Sequence, residues 1–81
     1  MPFYTYIIFS DSINKFYIGF TSSSLDDRLR RHNANHRGFT GKANDWHFVW
    51  SHAFESKSDA IDKEKQIKKR GARRFLDDLS S

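Results

Sequence analysis

Three stretches of the chain read as strands and three as helices. "FYTYIIF", residues 3–9, is a run of aromatic and β-branched residues and predicts a buried strand. "FYIGF", residues 16–20, predicts a second, and the turn residues of "SDSINK" join the two as a hairpin with a longer loop. "WHFVWSHAF" alternates strictly, which puts Trp46, Phe48, Trp50, His52 and Phe54 on one face of a third strand. "TSSS" offers N-cap serines to a helix over "LDDRLRRHN", with Asp26 and Asp27 in the first turn where the helix dipole favours anions. "SDAIDKEKQIKKRG", residues 58–71, repeats at helical spacing, with Ser56 or Ser58 as cap and Gly71 at its end. "ARRFLDDL" predicts a short terminal helix, and "ANHRGFTGKAND" has no hydrophobic period and predicts an exposed basic loop. The order is ββαβα(α), an α+β fold around a three-stranded antiparallel sheet, and residues 1–81 suffice for one domain only.

Both long helices aim charge at their apolar side. Ala60, Ile61, Ile67 and the stem of Lys68 share one face of the second, and Glu64 lies within that stripe. On the first, Leu25 and Leu29 mark the stripe, and Arg28 and His32, an i, i+4 pair, flank it. A buried carboxylate needs a cation, a proton or a metal. A salt bridge from Glu64 to Arg28 would meet that need and leave no chemistry to explain. In the hairpin, Tyr6 and Tyr17 sit at plausible cross-strand positions, and Gly19 leaves a gap on the Tyr17 face for a ligand or another backbone. Two hydroxyls, a guanidinium, an imidazole and a carboxylate together suit phosphodiester hydrolysis.

Charge strengthens this direction. The net charge is +4, and seven of the fourteen Lys and Arg residues lie in "KEKQIKKRGARR", residues 63–74. Arg28, Arg30, Arg31, Arg37 and Lys42 form a second cluster. Two basic clusters on an aromatic-rich domain point to a polyanion, most simply nucleic acid held through its backbone. Arg31, Arg37, Lys42, Lys68, Lys69 and Arg73 are the candidates for that contact. The chain has no cysteine, and "MPFYTYIIFSD" is too short and polar for a signal peptide. No segment approaches a membrane span. The expectation is a cytoplasmic domain with no membrane partner.

The motifs "YTYII", "FYIGFT", "LDDRLRRHN", "FTGKANDWHFVW" and "DAIDKEKQIKK", taken in order, resemble the GIY-YIG endonuclease superfamily over roughly residues 3–76. Within it the chain most resembles the small standalone bacterial branch, similar to the nuclease domain of the excision-repair protein UvrC and to structure-specific nucleases. The resemblance implies a metal-dependent DNA endonuclease leaving 5′-phosphate and 3′-hydroxyl ends. It assigns Tyr6 and Tyr17 to the two motif tyrosines, Arg28 and His32 to the helix pair, and Glu64 to a single carboxylate binding Mg²⁺ or Mn²⁺. Tyr6 is then the favoured base for water, with His32 taking its proton. A phenol of ordinary pKa near 10 needs help to do this. Three departures bear on packing and orientation: Tyr4-Thr5 replaces the Gly-Ile of the first motif, Phe20 stands where some branches carry lysine, and no asparagine follows Asn44, where several branches use one beyond the glutamate.

Rival readings remain at this point. A non-cutting nucleic-acid-binding module on the same fold would share the basic clusters. A zinc site at His32 and His36 lacks an evident third ligand. Trp46 and Trp50 would stack on bases only if they were not core. Branched, flapped or single-stranded DNA suits so small a surface better than a defined sequence, and a partner protein or homodimer would add affinity. Repair, mobile-element biology and defence are all open as settings, as is DNA against RNA.

Overall fold

The computed structural model describes residues 2–34 and 37–80. Strands β1 (Phe3–Ser10), β2 (Lys15–Thr21) and β3 (Trp46–Phe54) form one antiparallel sheet in the order β2-β1-β3. Helix α1 (Leu25–Asn33) follows the hairpin, and a short 3-10 turn (Phe39–Lys42) precedes β3. Helices α2 (Lys57–Arg70) and α3 (Ala72–Ser80) close the chain. The expected α+β architecture is therefore present, with the terminal helix formed. None of the described helices is long and apolar enough to cross a membrane.

The central strand is covered on both sides: Thr5, Tyr6, Ile7 and Ile8 are all fully buried. Because successive side chains alternate, Tyr6 and Ile8 face one layer and Thr5 and Ile7 the other. Leu25 and Leu29 of α1 pack against Tyr6, Ile8 and Trp46. Ile67 of α2 and Phe75 of α3 pack against Ile7 on the opposite face. The Thr5 hydroxyl donates to the Ala60 carbonyl at 2.7 Å, fixing the start of α2 on that second face. Thr5, a departure from the family's first motif, thus acts in packing.

The hairpin turns through Asn14, which adopts φ 54°, a left-handed conformation that asparagine tolerates. Asp45 ties this turn to the start of β3: its carboxylate accepts from the Ser10 hydroxyl and, at 2.9 Å, from the Ser12 N–H. Those bonds, the Ser10 one foremost, hold the Asp45 carboxyl below its ordinary range. Ser24 caps α1 and Ser56 caps α2, each accepting from a backbone N–H at 3.1 Å. Gly71, at φ 95°, ends α2 where a side chain would be strained.

The expected single aromatic face of β3 is not found. The register runs Ile7 to Trp50 but Ile8 to Phe48, so Val49 is an extra residue, a β-bulge. Trp46 and Phe48 therefore join the α1 face, and Trp50 joins the α2 face, edge-on to Phe75 at 5.0 Å. Strict alternation in sequence becomes a split in space.

Candidate active site

The hairpin register sets the two tyrosines. Tyr6 pairs with Gly19 and Tyr17 with Ile8, so the tyrosines are diagonal neighbours on one face and not directly opposite. A Cβ at Gly19 would stand 2.6 Å from the Tyr6 hydroxyl and 3.1 Å from the Tyr17 ring. The gap at Gly19 is thus filled by the Tyr6 phenol itself, not left for a ligand. Glycine is required there because the ring lies across the neighbouring strand.

Helix α1 brings the next two groups. With Leu25 and Leu29 anchored in the core, Arg28 and His32 point to Tyr6. Its hydroxyl is 2.7 Å from His32 Nε2, and Arg28 Nε donates to it at 3.4 Å. His32 is itself buried, 6% exposed, with its ring centroid 4.9 Å from that of Tyr17. Burial pushes the Tyr6 phenol above its ordinary 10.0; Arg28 pulls it back, while Tyr17 and Glu64 add to the rise. Tyr6 is neutral at neutral pH.

The 3-10 turn was expected to be wholly exposed loop. Thr40 is instead 3% exposed, and its Oγ1 lies 2.8 Å from His32 Nδ1. The turn is held by Trp46, whose buried indole N–H donates to the Thr40 carbonyl at 2.7 Å. Asn33, at the end of α1, brackets the Trp46 backbone, accepting from its N–H at 2.7 Å and donating to its carbonyl at 3.1 Å. Sequence patterning missed Thr40. The available signal was Trp46: a core indole has to find an acceptor, and a polar loop just upstream is the nearest source.

Glu64 lies on α2 with only 16% of its side chain exposed. Among the described ion pairs its partner is Lys68, one helical turn on, at 3.6 Å. No bridge to Arg28 forms; Arg28 is engaged with Tyr6 instead. An i, i+4 pair to a lysine that is 54% exposed is worth about 0.3–0.5 kcal/mol. That is too little to account for a mostly buried carboxylate. Among the described residues no three His, Cys, Asp or Glu side chains cluster as metal ligands. A lone carboxylate fits a hard cation that completes its shell with water and phosphate oxygens, as Mg²⁺ and Mn²⁺ do. It does not fit zinc, and both His32 nitrogens are already engaged. His36, the other half of the zinc reading, lies outside the described residues.

Beside Tyr17, Arg28 and His32 opens a cleft of about 460 Å³ that Arg31, Phe39 and Thr40 also line; Glu64 is not among its described lining residues. A groove of about 450 Å³ continues from it over Asp27, Arg28, Arg30 and Arg31. Phe39 is 43% exposed, its ring near-parallel to Tyr17, with the Lys42 ammonium 5.4 Å from its centroid. Arg37 is exposed beside this turn. Of the other expected backbone contacts, Lys68 stands at Glu64. Lys69 and Arg73 do not line the cleft: Lys69 borders a hollow with Phe75 and Leu79, and Arg73 lies 5.2 Å over Phe16. Trp46 is core, as expected, at 2% exposure.

Residues 2–75 match the family described as the GIY-YIG catalytic domain. The fold is similar to the solution NMR structure of the UPF0213 protein BH0048 from Bacillus halodurans, with a TM-score of 0.59 and 26% identity. That likeness covers 99% of this chain and 84% of the other. No curated protein matches the chain at a significant level. With the match spanning nearly all of its length, and the tyrosine hairpin feeding into the Arg28–His32 helix, the chain belongs to the GIY-YIG family and carries its nuclease-type domain, for which the substrate is nucleic acid.

Proposed function

We propose that the chain is a divalent-metal-dependent endonuclease hydrolysing phosphodiester bonds in DNA to leave 5′-phosphate and 3′-hydroxyl ends. Branched, flapped or single-stranded DNA is its substrate in preference to plain duplex, and the cytoplasm its compartment. The observation that carries the reading is the Tyr6 hydroxyl, held between His32 Nε2 at 2.7 Å and Arg28 at 3.4 Å beside an arginine-lined cleft.

Glu64 would hold the Mg²⁺ or Mn²⁺ ion, which supplies charge neutralisation at the scissile phosphate and at the departing 3′-oxygen. Everything else belongs to this chain. Arg28 and Arg31 present guanidinium groups that fork onto phosphate oxygens. Tyr6 has no exposed surface, so its surroundings must open for water to reach its oxygen. The Arg28 bond to Tyr6 is long and weak, and a phosphate on Arg28 competes for it. A free phenolate is unfavourable here because burial raises the phenol's pKa. Tyr6 therefore passes its proton to His32 Nε2 as its oxygen takes one from the attacking water, and no phenolate accumulates. Tyr17, half-buried at the cleft, orients the phosphate or the water.

A second reading has one observation in its favour: Glu64 already has a cation beside it in Lys68. That arrangement would suit a module that binds nucleic acid without cutting it. One experiment separates the two. Labelled flapped, branched, single-stranded and duplex DNA is incubated with Mg²⁺, with Mn²⁺ and with EDTA, beside folded Glu64→Ala protein. Metal-dependent cutting lost in the variant supports the nuclease. Salt-sensitive binding without cutting under any condition supports the binding module.

A further inference from the structure

We infer that Thr40 is a positioning residue for His32: its hydroxyl accepts the Nδ1 proton and so keeps Nε2 open to receive the proton of Tyr6. This rests on the nuclease reading for its purpose, but not for its geometry.

The Tyr6 oxygen has one proton to give. Arg28 can only donate, so at 3.4 Å it uses the phenol oxygen as acceptor. The phenol proton is then free to point along the 2.7 Å line to His32 Nε2. A neutral imidazole that accepts at Nε2 carries its proton on Nδ1, and that proton faces Thr40 Oγ1 at 2.8 Å. When Nε2 takes the Tyr6 proton, the ring becomes an imidazolium and Nδ1–H still donates to the same oxygen. One hydroxyl therefore serves both protonation states without moving. The transfer balances: the O–H bond of Tyr6 breaks, an N–H bond at Nε2 forms, and the phenol oxygen regains a proton from water.

Thr40 is placed for this by contacts far from chance. It is 3% exposed, in a four-residue 3-10 turn whose position is set by the Trp46 indole bond to its own carbonyl. Trp46 is in turn gripped by Asn33, the residue next to His32. The imidazole and the hydroxyl are thus held by one connected frame. A hydroxyl, unlike a carboxylate, orients the ring without adding charge.

The test uses the whole chain, ¹⁵N-labelled, in metal-free buffer, and reads the His32 nitrogen shifts by NMR. Wild type is expected to show protonated Nδ1 and bare Nε2. Thr40→Val, similar in shape without the hydroxyl, is expected to move the proton towards Nε2; Thr40→Ser is expected to restore the wild-type pattern. In Mg²⁺-dependent cutting, Thr40→Val should lower kcat about 10- to 100-fold with KM within about twofold, and Ser should recover it. A wild-type ring protonated on Nε2 overturns the assignment, whether or not Thr40→Val folds. An unchanged pattern and rate in folded Thr40→Val overturns it as well. If the wild type cuts no DNA, the nitrogen shifts still decide the role of Thr40, and only the nuclease reading fails.

Discussion

The two faces of the sheet use the same strand for opposite purposes. On the α1 face, Tyr6 and Ile8 meet a layer that contains Arg28, His32 and Thr40, and buried polar atoms find partners in one another. Among the described residues no buried side-chain nitrogen or oxygen lacks a hydrogen bond. On the α2–α3 face, Ile7, Ile67, Ala72 and Phe75 form a dry core, and the cations are at its margin, Lys63 over Phe75 and Arg73 over Phe16. The difference shows how a domain of this size can hold a polar site. The α2–α3 face, where the Thr5 hydroxyl is bonded to the Ala60 carbonyl and α2 also carries Glu64, is mainly apolar and carries stability, so the α1 face can accept groups that are costly to bury.

The comparison breaks most sharply if the polar face is damaged and the fold survives. Tyr6→Phe should reduce cutting by about 10²- to 10⁴-fold, the range for loss of a proton-transfer group. It should cost about 1–3 kcal/mol of stability, because His32 Nε2 loses its buried donor. Chemical denaturation and a cleavage assay on the same sample check both numbers. Ile67→Ala makes the converse cut, on a fully buried side chain of the dry face. About 2–5 kcal/mol of stability should be lost, with kcat little changed below the melting transition. Equal activity losses in the two variants would dissolve the distinction between faces.

Gly19→Ala is intermediate. Its Cβ would stand 2.6 Å from the Tyr6 hydroxyl and 2.8 Å from the ring, so the phenol must shift away from His32. Overpacking of this kind costs about 1–3 kcal/mol, and activity should fall by more than stability explains, as a crystal structure and a melting curve together would show. Smaller still is the alkaline behaviour of Tyr6. Its pKa is raised in the folded state, so its contribution is fully present below about pH 10, the unfolded value. It is lost as pH rises through the higher folded value. Phenolate absorbance should show one late-titrating tyrosine, absent from Tyr6→Phe. The smallest effect is expected at Asp78, on the surface away from the cleft. Its carboxyl is held below the ordinary 3.8 by the two-bond pair with Arg70. That contribution is present above 3.8 and disappears as pH falls through the depressed value, so Asp78→Asn should flatten the acid limb of the stability curve slightly and leave cutting alone.

Much of this was legible along the chain. The apolar run of β1 marked a buried strand, the serine caps marked both long helices, and Arg28, His32 and Glu64 were visible as ionisable groups on or beside apolar stripes. The β3 stripe was misread because nothing in "WHFVWSHAF" marks the bulge; no glycine or proline stands there. Thr40 was missed because hydrophobic period is silent in a polar loop. The separation of Lys68, which pairs with Glu64, from Lys69, which borders the hollow at Phe75, was also invisible, since the two are neighbours in sequence and part company around a helix.

From the amino-acid order alone come the kinds of element, their sequence and the residues whose charge needs an explanation, because caps, periods and propensities act within a few residues. Only the folded chain decided that Arg28 bonds Tyr6 and leaves Glu64 to Lys68, that Val49 divides the aromatic ladder between two cores, and that Trp46 draws Thr40 under His32. Each of those outcomes depends on contacts between segments distant in the chain, or on a competition between two partners for one group, and neither is written in any local stretch.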